Sequence, residues 1–245
     1  MKLSDLKLVE SRMALQDIPE GKVLINTINA HSFNVAQKDK QFAEALMNGD
    51  YLIPDGASIV KACRWLKAKS QPMERVAGWD LFTFEMERLE ETCKNDNVKG
   101  KVMFMGSSEA VLAKIKDRAA VDYPHLGVVT YSPPYRDIFF VEENKDIIKA
   151  ANEANPDLLW IGMTAPKQEK WAYSHWKELN IHCHVGTIGA VFDFYAGTIK
   201  RAPKWWQDNS LEWLYRLIKE PRRMWRRYLV GNVKFLFKII QEKLL

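Results

Sequence analysis

Six short apolar runs rich in β-branched residues recur between residues 23 and 189: VLINTI (23–28), YLIP (51–54), KVMFMG (101–106), LGVVTY (126–131), LLWIGM (158–163) and HCHVGTIG (182–189). Between them lie longer stretches with helix-like apolar spacing, GASIVKACRWLKA, SSEAVLAKIKDRAAVDY, NKDIIKAANEAN and KQEKWAYSHWKEL. Strands alternating with helices of this length predict an α/β fold, a Rossmann-like and mainly parallel sheet with helices on both faces. Such sheets bind ligands beyond the carboxyl ends of their strands, so the loop after each apolar run is where chemistry is expected.

After DFYAG, near residue 198, the composition shifts. Residues 198–245 hold 12 lysines and arginines against 4 acidic residues, a charge of +8, while residues 1–197 hold 24 against 27, a charge of −3. The net charge of +5 is therefore a property of the tail, which points to a polyanionic partner at one end only. Four arginines fall within six residues of EWLYRLIKEPRRMWRRYLVGN (212–232), threaded by Trp213, Trp225 and Tyr228. Pro221 suits the first turn of a new helix. Beyond it Trp225, Tyr228, Leu229, Val233, Leu236 and Ile240 recur at three- and four-residue spacing, flanked by Arg222, Arg223, Arg226, Arg227, Lys234 and Lys238. An apolar stripe between cations is the pattern of a helix lying at a membrane interface. The expected organisation is an α/β domain over residues 1–197 and a basic, aromatic-rich helical C-terminal appendage over residues 198–245.

MKLSDLKLVE lacks the apolar core of a secretory signal. The longest run without a formal charge, residues 23–37, holds Asn, Thr, His and Ser and is shorter than the about 20 apolar residues of a bilayer span. Cys63, Cys93 and Cys183 are widely spaced, which fits free thiols in a reducing cytosol. The expected location is the cytoplasm, in peripheral contact with the inner face of the cell membrane.

The strand-end loops carry the candidate chemistry. Asp55, in YLIPDGASIV, reads either as an N-cap accepting a backbone N–H or as a general base at the ligand-facing edge of the sheet. Thr27, Asn29 and His31 close the first strand in NTINAHSF, where polar residues also act as plain turn formers. Gly106 and Ser107 in FMGSSEAVL can present backbone N–H groups to an anion, although an ordinary tight turn explains them nearly as well. Their spacing is neither the dinucleotide fingerprint nor a P-loop. In IGMTAPKQEKW, Pro166 can start a helix whose first turn crowds Lys167, Gln168 and Glu169; a solvated helix start is the plain alternative. His182 and His184 share a strand face but lack further ligands, so no metal is expected there. Gly186, Gly189 and Gly197 read as backbone approach to a ligand. Asp193, in an apolar run, needs a partner, such as a ligand hydroxyl. With no Asp-x-Asp pair in the chain, any leaving diphosphate would depend on protein cations, which the tail supplies.

Thr27-Ile28-Asn29, Asp55-Gly56, Pro166-Lys167-Gln168-Glu169, Gly189-Ala190-Val191-Phe192-Asp193, Lys200-Arg201-Ala202-Pro203 and EWLYRLIKEPRR from Glu212 occur in this order. Together, over about residues 20–232, they resemble the WecG/TagA/CpsF family of bacterial glycosyltransferases. The resemblance implies an inverting, metal-independent transfer, without cofactor, of a hexose from a UDP-sugar to an undecaprenyl-diphosphate-linked sugar in cell-surface polysaccharide or teichoic acid synthesis. It implies Asp55 as the base, with Thr27, Asn29, Arg75 (in MERVAGWD) and Gln168 lining the site. Gly106, Ser107, Tyr135, Lys167, Gly186 and Asp193 are the candidates for UDP-sugar contact. Arg216, Arg223, Arg226 and Arg227 are those for the diphosphate and the lipid. Two departures from the family pattern, GMTAPKQE for a glycine-rich run and HSF after Asn29, lie near the sugar pocket and bear on the donor.

No further basic residue can be assigned to a uronate carboxylate, so the expected donor sugar is N-acetylmannosamine, with glucose and N-acetylmannosaminuronic acid as alternatives. A different class, a module binding single-stranded nucleic acid, would use the arginines on phosphates and the tryptophans on bases. It gives the strand-end motifs no role, and a nicotinamide oxidoreductase lacks its glycine fingerprint. The expected partners are the UDP-sugar, the lipid-linked acceptor and the cytoplasmic membrane surface, with no nucleic acid; a homo-oligomer stays open.

Overall fold

The computed structural model describes residues 1–244. From the N-terminus the elements are β1 (Val23–Ile28), α1 (Ala30–Ala36), α2 (Lys40–Met47), β2 (Tyr51–Pro54), α3 (Ala57–Leu66) and α4 (Gly78–Asp96). They continue with β3 (Gly100–Gly106), α5 (Glu109–Asp122), β4 (Leu126–Tyr131), α6 (Val141–Ala154), β5 (Leu158–Gly162) and α7 (Lys167–Ser174). β6 (His184–Thr187) and α8 (Gly189–Tyr195) complete the sheet and its cover. The tail forms α9 (Lys204–Asp208), α10 (Glu212–Lys219), α11 (Pro221–Trp225), a π-helical turn (Arg226–Val230) and α12 (Gly231–Leu244).

All six apolar runs are strands of one sheet, ordered β2-β1-β6-β5-β3-β4, and every ladder is parallel. Alternation along β3 divides the core in two. Val102 and Phe104 face a cluster with Leu81, Phe82, Leu112 and Phe192 from α4, α5 and α8. Met103 and Met105 face Ile147, Ile148, Trp171 and Ala172 from α6 and α7. The open edge at β2 is covered by the N-terminal segment, whose Val9 N–H donates to the Leu52 carbonyl at 3.0 Å.

Helices α3, α5, α6 and α7 lie where the apolar spacing predicts them, and α11 starts at Pro221 as expected. Four helices go beyond that reading: α1, α2, the 19-residue α4 and α8. In α4 the buried stripe Leu81, Phe82, Met86 and Cys93 is diluted by charge and includes Glu85 itself. That carboxylate is neutralised inside the protein, 2.7 Å from Arg88 and 3.0 Å from His184 Nδ1. His184 Nε2 meets the Pro19 carbonyl at 2.9 Å, so both ring nitrogens are engaged by the protein. Cys183 lies in the cluster on the opposite face.

A third cluster joins the tail to the first half of the chain. Phe235 and Ile239 of α12 are buried with Phe33 of α1 and Ile59 and Cys63 of α3. Side chains of this size stabilise the docked helix by about 2–3 kcal/mol each on full burial. Glu242 accepts from the Leu3 and Ser4 N–H groups at 2.9 and 2.7 Å, and the Asn34 amide donates to the Gly231 carbonyl at 2.7 Å. The stripe read from the sequence is not the buried one. Trp225, Leu229, Val233, Leu236 and Ile240 stay open to solvent, with Phe237 beside them, while Tyr228 packs against Trp213. In the π-helical turn the Gly231 N–H reaches back to the Arg226 carbonyl, and this wider turn offsets the helix faces before and after it.

Candidate active site

β1 and β2 end level, with Ile28 opposite Pro54, so their following loops lie side by side. A Cβ on Gly56 would fall 3.6 Å from Asn29 Cβ. Asn29 is the N-cap of α1: its Oδ1 accepts from the N–H groups of His31 and Ser32 at 3.0 and 3.1 Å, and Ser32 Oγ accepts from its own N–H at 2.7 Å. Thr27 is the last-but-one residue of β1, partly buried opposite Ile53.

Asp55 is not a cap. The N-cap of α3 is Gly56, no side chain bonds the helix start, and among the described residues the Asp55 carboxylate has no hydrogen-bond or ion-pair partner. Burial pushes its carboxyl above the ordinary carboxylate range. Arg75 and Arg227 oppose that rise, while Glu212 and Asp80 add to it. A carboxyl held high and left without a protein partner is suited to taking up a proton.

The cations around it come from both parts of the chain. Arg75, 16% exposed in its side chain, donates to Glu212 at 2.8 Å, and Arg201 reaches the other oxygen of Glu212 at 3.1 Å. Burial alone would raise the Glu212 carboxyl, but the two arginines outweigh it and the group lies below its ordinary value. Neither Glu212 nor Arg201 was foreseen as a site residue from the sequence. Both lay in quoted motifs, but nothing local said that they would meet Arg75.

The four arginines expected at the diphosphate, Arg216, Arg223, Arg226 and Arg227, divide into two pairs. Arg216 and Arg227 turn inward: each has a buried Nε without an acceptor among the described residues. Burial and the nearby Arg216 and Arg223 charges lower Arg227, yet a guanidinium in this range stays cationic. Arg216 also stacks 5.0 Å from the Phe194 ring. Arg223 and Arg226 are exposed, the first paired with Glu220 at 2.8 Å, the second 5.3 Å over Trp225. His31 is a further neighbour of Arg227; burial, then that cation, brings its pKa down to about 4, so the imidazole is neutral at neutral pH.

The remaining candidates follow β3, β4, β5 and β6. Gly106 has φ +122°, and a Cβ there would lie 2.5 Å from the Gly162 carbonyl oxygen, so the glycine lets the ends of β3 and β5 close up. Ser107, at φ 57°, turns the chain into α5, and its carbonyl accepts from the Ser132 hydroxyl at 2.8 Å. Tyr135 is fully exposed in the loop after β4. Lys167 donates to the Arg136 carbonyl and lies 3.6 Å over the Phe139 ring.

Other expectations are corrected. Gln168 and Glu169 do not form a solvated helix start, since both are buried. The Gln168 amide donates to Glu169 at 2.8 Å and accepts from the Gly189 N–H at 3.2 Å, which ties α7 to the start of α8. It acts as a brace behind the strand ends. Gly186 has a packing reason to be small: a Cβ there would lie 2.3 Å from the Trp160 ring, so the core takes that space. Asp193 finds its partner within the chain, the Thr198 hydroxyl at 3.1 Å. Among the described residues no group of three or more His, Cys, Asp or Glu is arranged to hold a metal ion, and no helix is long and apolar enough to cross a membrane.

A family model described as "Glycosyl transferase WecG/TagA/CpsF family" matches residues 3–245. A relative from Bacillus subtilis (strain 168), named N-acetylglucosaminyldiphosphoundecaprenol N-acetyl-beta-D-mannosaminyltransferase, is 29% identical over 90% of this chain and 80% of its own length. Proteins of the same name from Bacillus spizizenii and Staphylococcus aureus (strain MW2) are 29% and 27% identical, over 79% and 90% of this chain and 70% and 81% of their own.

Proposed function

This chain belongs to the WecG/TagA/CpsF family of glycosyl transferases, and on that premise we propose that it moves N-acetylmannosamine from a UDP-sugar to N-acetylglucosamine carried on undecaprenyl diphosphate. The names of its relatives support the sugar and the lipid. The observation that carries the chemistry is the unpartnered Asp55 carboxylate with Arg227 acting on it and Arg216 next to Arg227, the two arginines each having a buried Nε without an acceptor among the described residues. An unsatisfied buried donor is costly, and an incoming phosphate oxygen removes the cost.

In this reading the acceptor hydroxyl attacks the anomeric carbon as Asp55 takes its proton. The new glycosidic bond forms while the bond to UDP breaks, UDP leaves with the electron pair, and the configuration inverts. Arg216 and Arg227 meet the negative charge that grows on the departing diphosphate, where stabilisation aimed at the transition state has most effect. No metal or cofactor takes part in this scheme. Asn29 lies next to the Asp55–Gly56 turn, and Thr27 and Arg75 complete the wall around the base. Gly106, Ser107, Tyr135 and Lys167 are the remaining donor-side candidates.

Residues 198–245 act as an appendage that brings these cations to the site and meets the inner membrane surface. The open apolar face of α11 and α12 supports this, as does an apolar groove of about 440 Å³ lined by Trp65, Leu236, Ile240, Lys243 and Leu244. Each lysine or arginine near an anionic leaflet adds about 1 kcal/mol to such contact.

The test is release of UDP from a panel of UDP-sugars with a synthetic lipid-diphosphate-N-acetylglucosamine. Release from UDP-N-acetylmannosamine, unaffected by EDTA, is the expected result. Release from UDP-glucose alone would overturn the donor assignment, and loss of turnover with EDTA would overturn the metal-free scheme.

A further inference from the structure

Arg75 faces three carboxylates, Asp55, Glu212 and Asp80. It acts on Asp55 electrostatically, yet its hydrogen bond goes to Glu212, at 2.8 Å. Glu212 comes from the tail and is held from its other side by Arg201. Among the described residues the Arg75–Glu212 contact is the one ion pair joining residues 198–244 to the rest of the chain. An arginine beside a free aspartate pairs with it, often through two parallel hydrogen bonds. An Asp55 tied up in this way could not receive a proton from an acceptor hydroxyl.

We propose that Glu212 is a positioning residue for the reaction: it competes for Arg75, keeps that guanidinium off Asp55, and so leaves the base free when the tail is docked. The inference rests on Asp55 being the base. The charged groups acting on Asp55 are Arg75, Glu212, Asp80 and Arg227. Asp80 is a poor substitute for Glu212, because its carboxylate already accepts from the Ala77 N–H at 2.7 Å and has Arg12 at 3.5 Å. Glu212 also starts α10, one turn before Arg216, so the same contact sets where that cation stands.

Glu212→Gln in the full-length protein tests this. It keeps the shape of the side chain but removes its charge. Losing a negative neighbour and releasing Arg75 both favour the ionised form of Asp55. The acid limb of the kcat/KM profile should therefore move to lower pH. At neutral pH turnover should fall about tenfold, as the base weakens and Arg75 covers it. UDP affinity should hold or tighten, since the site has gained positive charge.

If turnover and UDP affinity fall together while the acid limb stays in place, Glu212 is only a structural strap and the proposal is overturned. Unchanged kinetics would overturn it equally. Should Glu212→Gln melt early, Glu212→Asp serves instead: the retained charge should keep the acid limb at its wild-type position, and a shift would count against the proposal. An active Asp55→Asn would defeat the underlying reading of the base. An inert Asp55→Asn with an unmoved limb in Glu212→Gln would defeat this inference alone.

Discussion

Phe33 of α1 and Phe235 of α12 meet edge to face, with ring centroids 5.5 Å apart and planes at 87°. Helix α1 is capped by Asn29, next to the Asp55–Gly56 turn, so this contact fixes the end of the chain to the helix that borders the proposed base. It also means that deleting residues 198–245 would uncover the apolar face of α1 and α3, so loss of activity in a truncated protein would not by itself report on chemistry. Single substitutions separate the two effects.

Adjacent residues of α12 should differ sharply. Phe235 is 6% exposed and Leu236 57%. Phe235→Ala should cost about 3–5 kcal/mol of stability in chemical denaturation, and Leu236→Ala should stay within about 0.5 kcal/mol. Equal costs would mean that α12 docks through a different face.

Asp55→Asn should lower turnover by about 10²–10⁴-fold, the usual worth of a positioned general base. UDP binding, followed by calorimetry, should be nearly unchanged, because among the described residues Asp55 caps no helix and bonds no protein donor. A parallel loss of binding and turnover would assign the residue to the architecture instead.

The arginines should sort by the direction they face. Arg216→Ala and Arg227→Ala should each reduce kcat by about 10²–10³-fold on both lipid-linked and water-soluble acceptors. Arg223→Ala and Arg226→Ala, at exposed positions, should weaken binding to vesicles of anionic lipid by about 1 kcal/mol each and spare turnover of a soluble acceptor. Phe237→Glu, also on the open face, should behave like the second pair. If all of these variants slowed the soluble reaction alike, the division between site and surface would fall.

Glu169 gives a pH signature of stability. Burial raises its carboxyl to about 7 from an ordinary 4.5, and its Oε2 has no partner among the described residues. At this site the folded protein holds a proton that the unfolded chain releases; His31 contributes the opposite sign below about pH 6.5, and between about pH 4.5 and 7 the Glu169 contribution to stability falls as pH rises. Glu169→Gln should flatten that slope in melting curves measured across the window. A slope that survives the substitution would belong to another group.

Much of the site was legible because its parts are local. Asp55 follows an apolar run and precedes a helix, and Thr27 and Asn29 close another, which marks them as strand-end residues without knowledge of any neighbour. What Asp55 does there could not be read this way, since a cap and a base share the same local sequence. The glycines misled for a related reason. Gly186 keeps its small size for the Trp160 ring, a partner 26 positions away that meets it across the β5–β6 ladder.

The six strands, the parallel sheet and the basic tail could be read along the chain, because hydrophobic periodicity and charge are properties of neighbouring residues and of composition. That β6 and β5 stand between β1 and β3, that Arg216 and Arg227 turn inward while Arg223 and Arg226 do not, and that Glu212 takes Arg75 emerge with the folded arrangement. Each of these is a competition between groups far apart in the chain. Packing and desolvation settle it, and neither exists until the chain is folded.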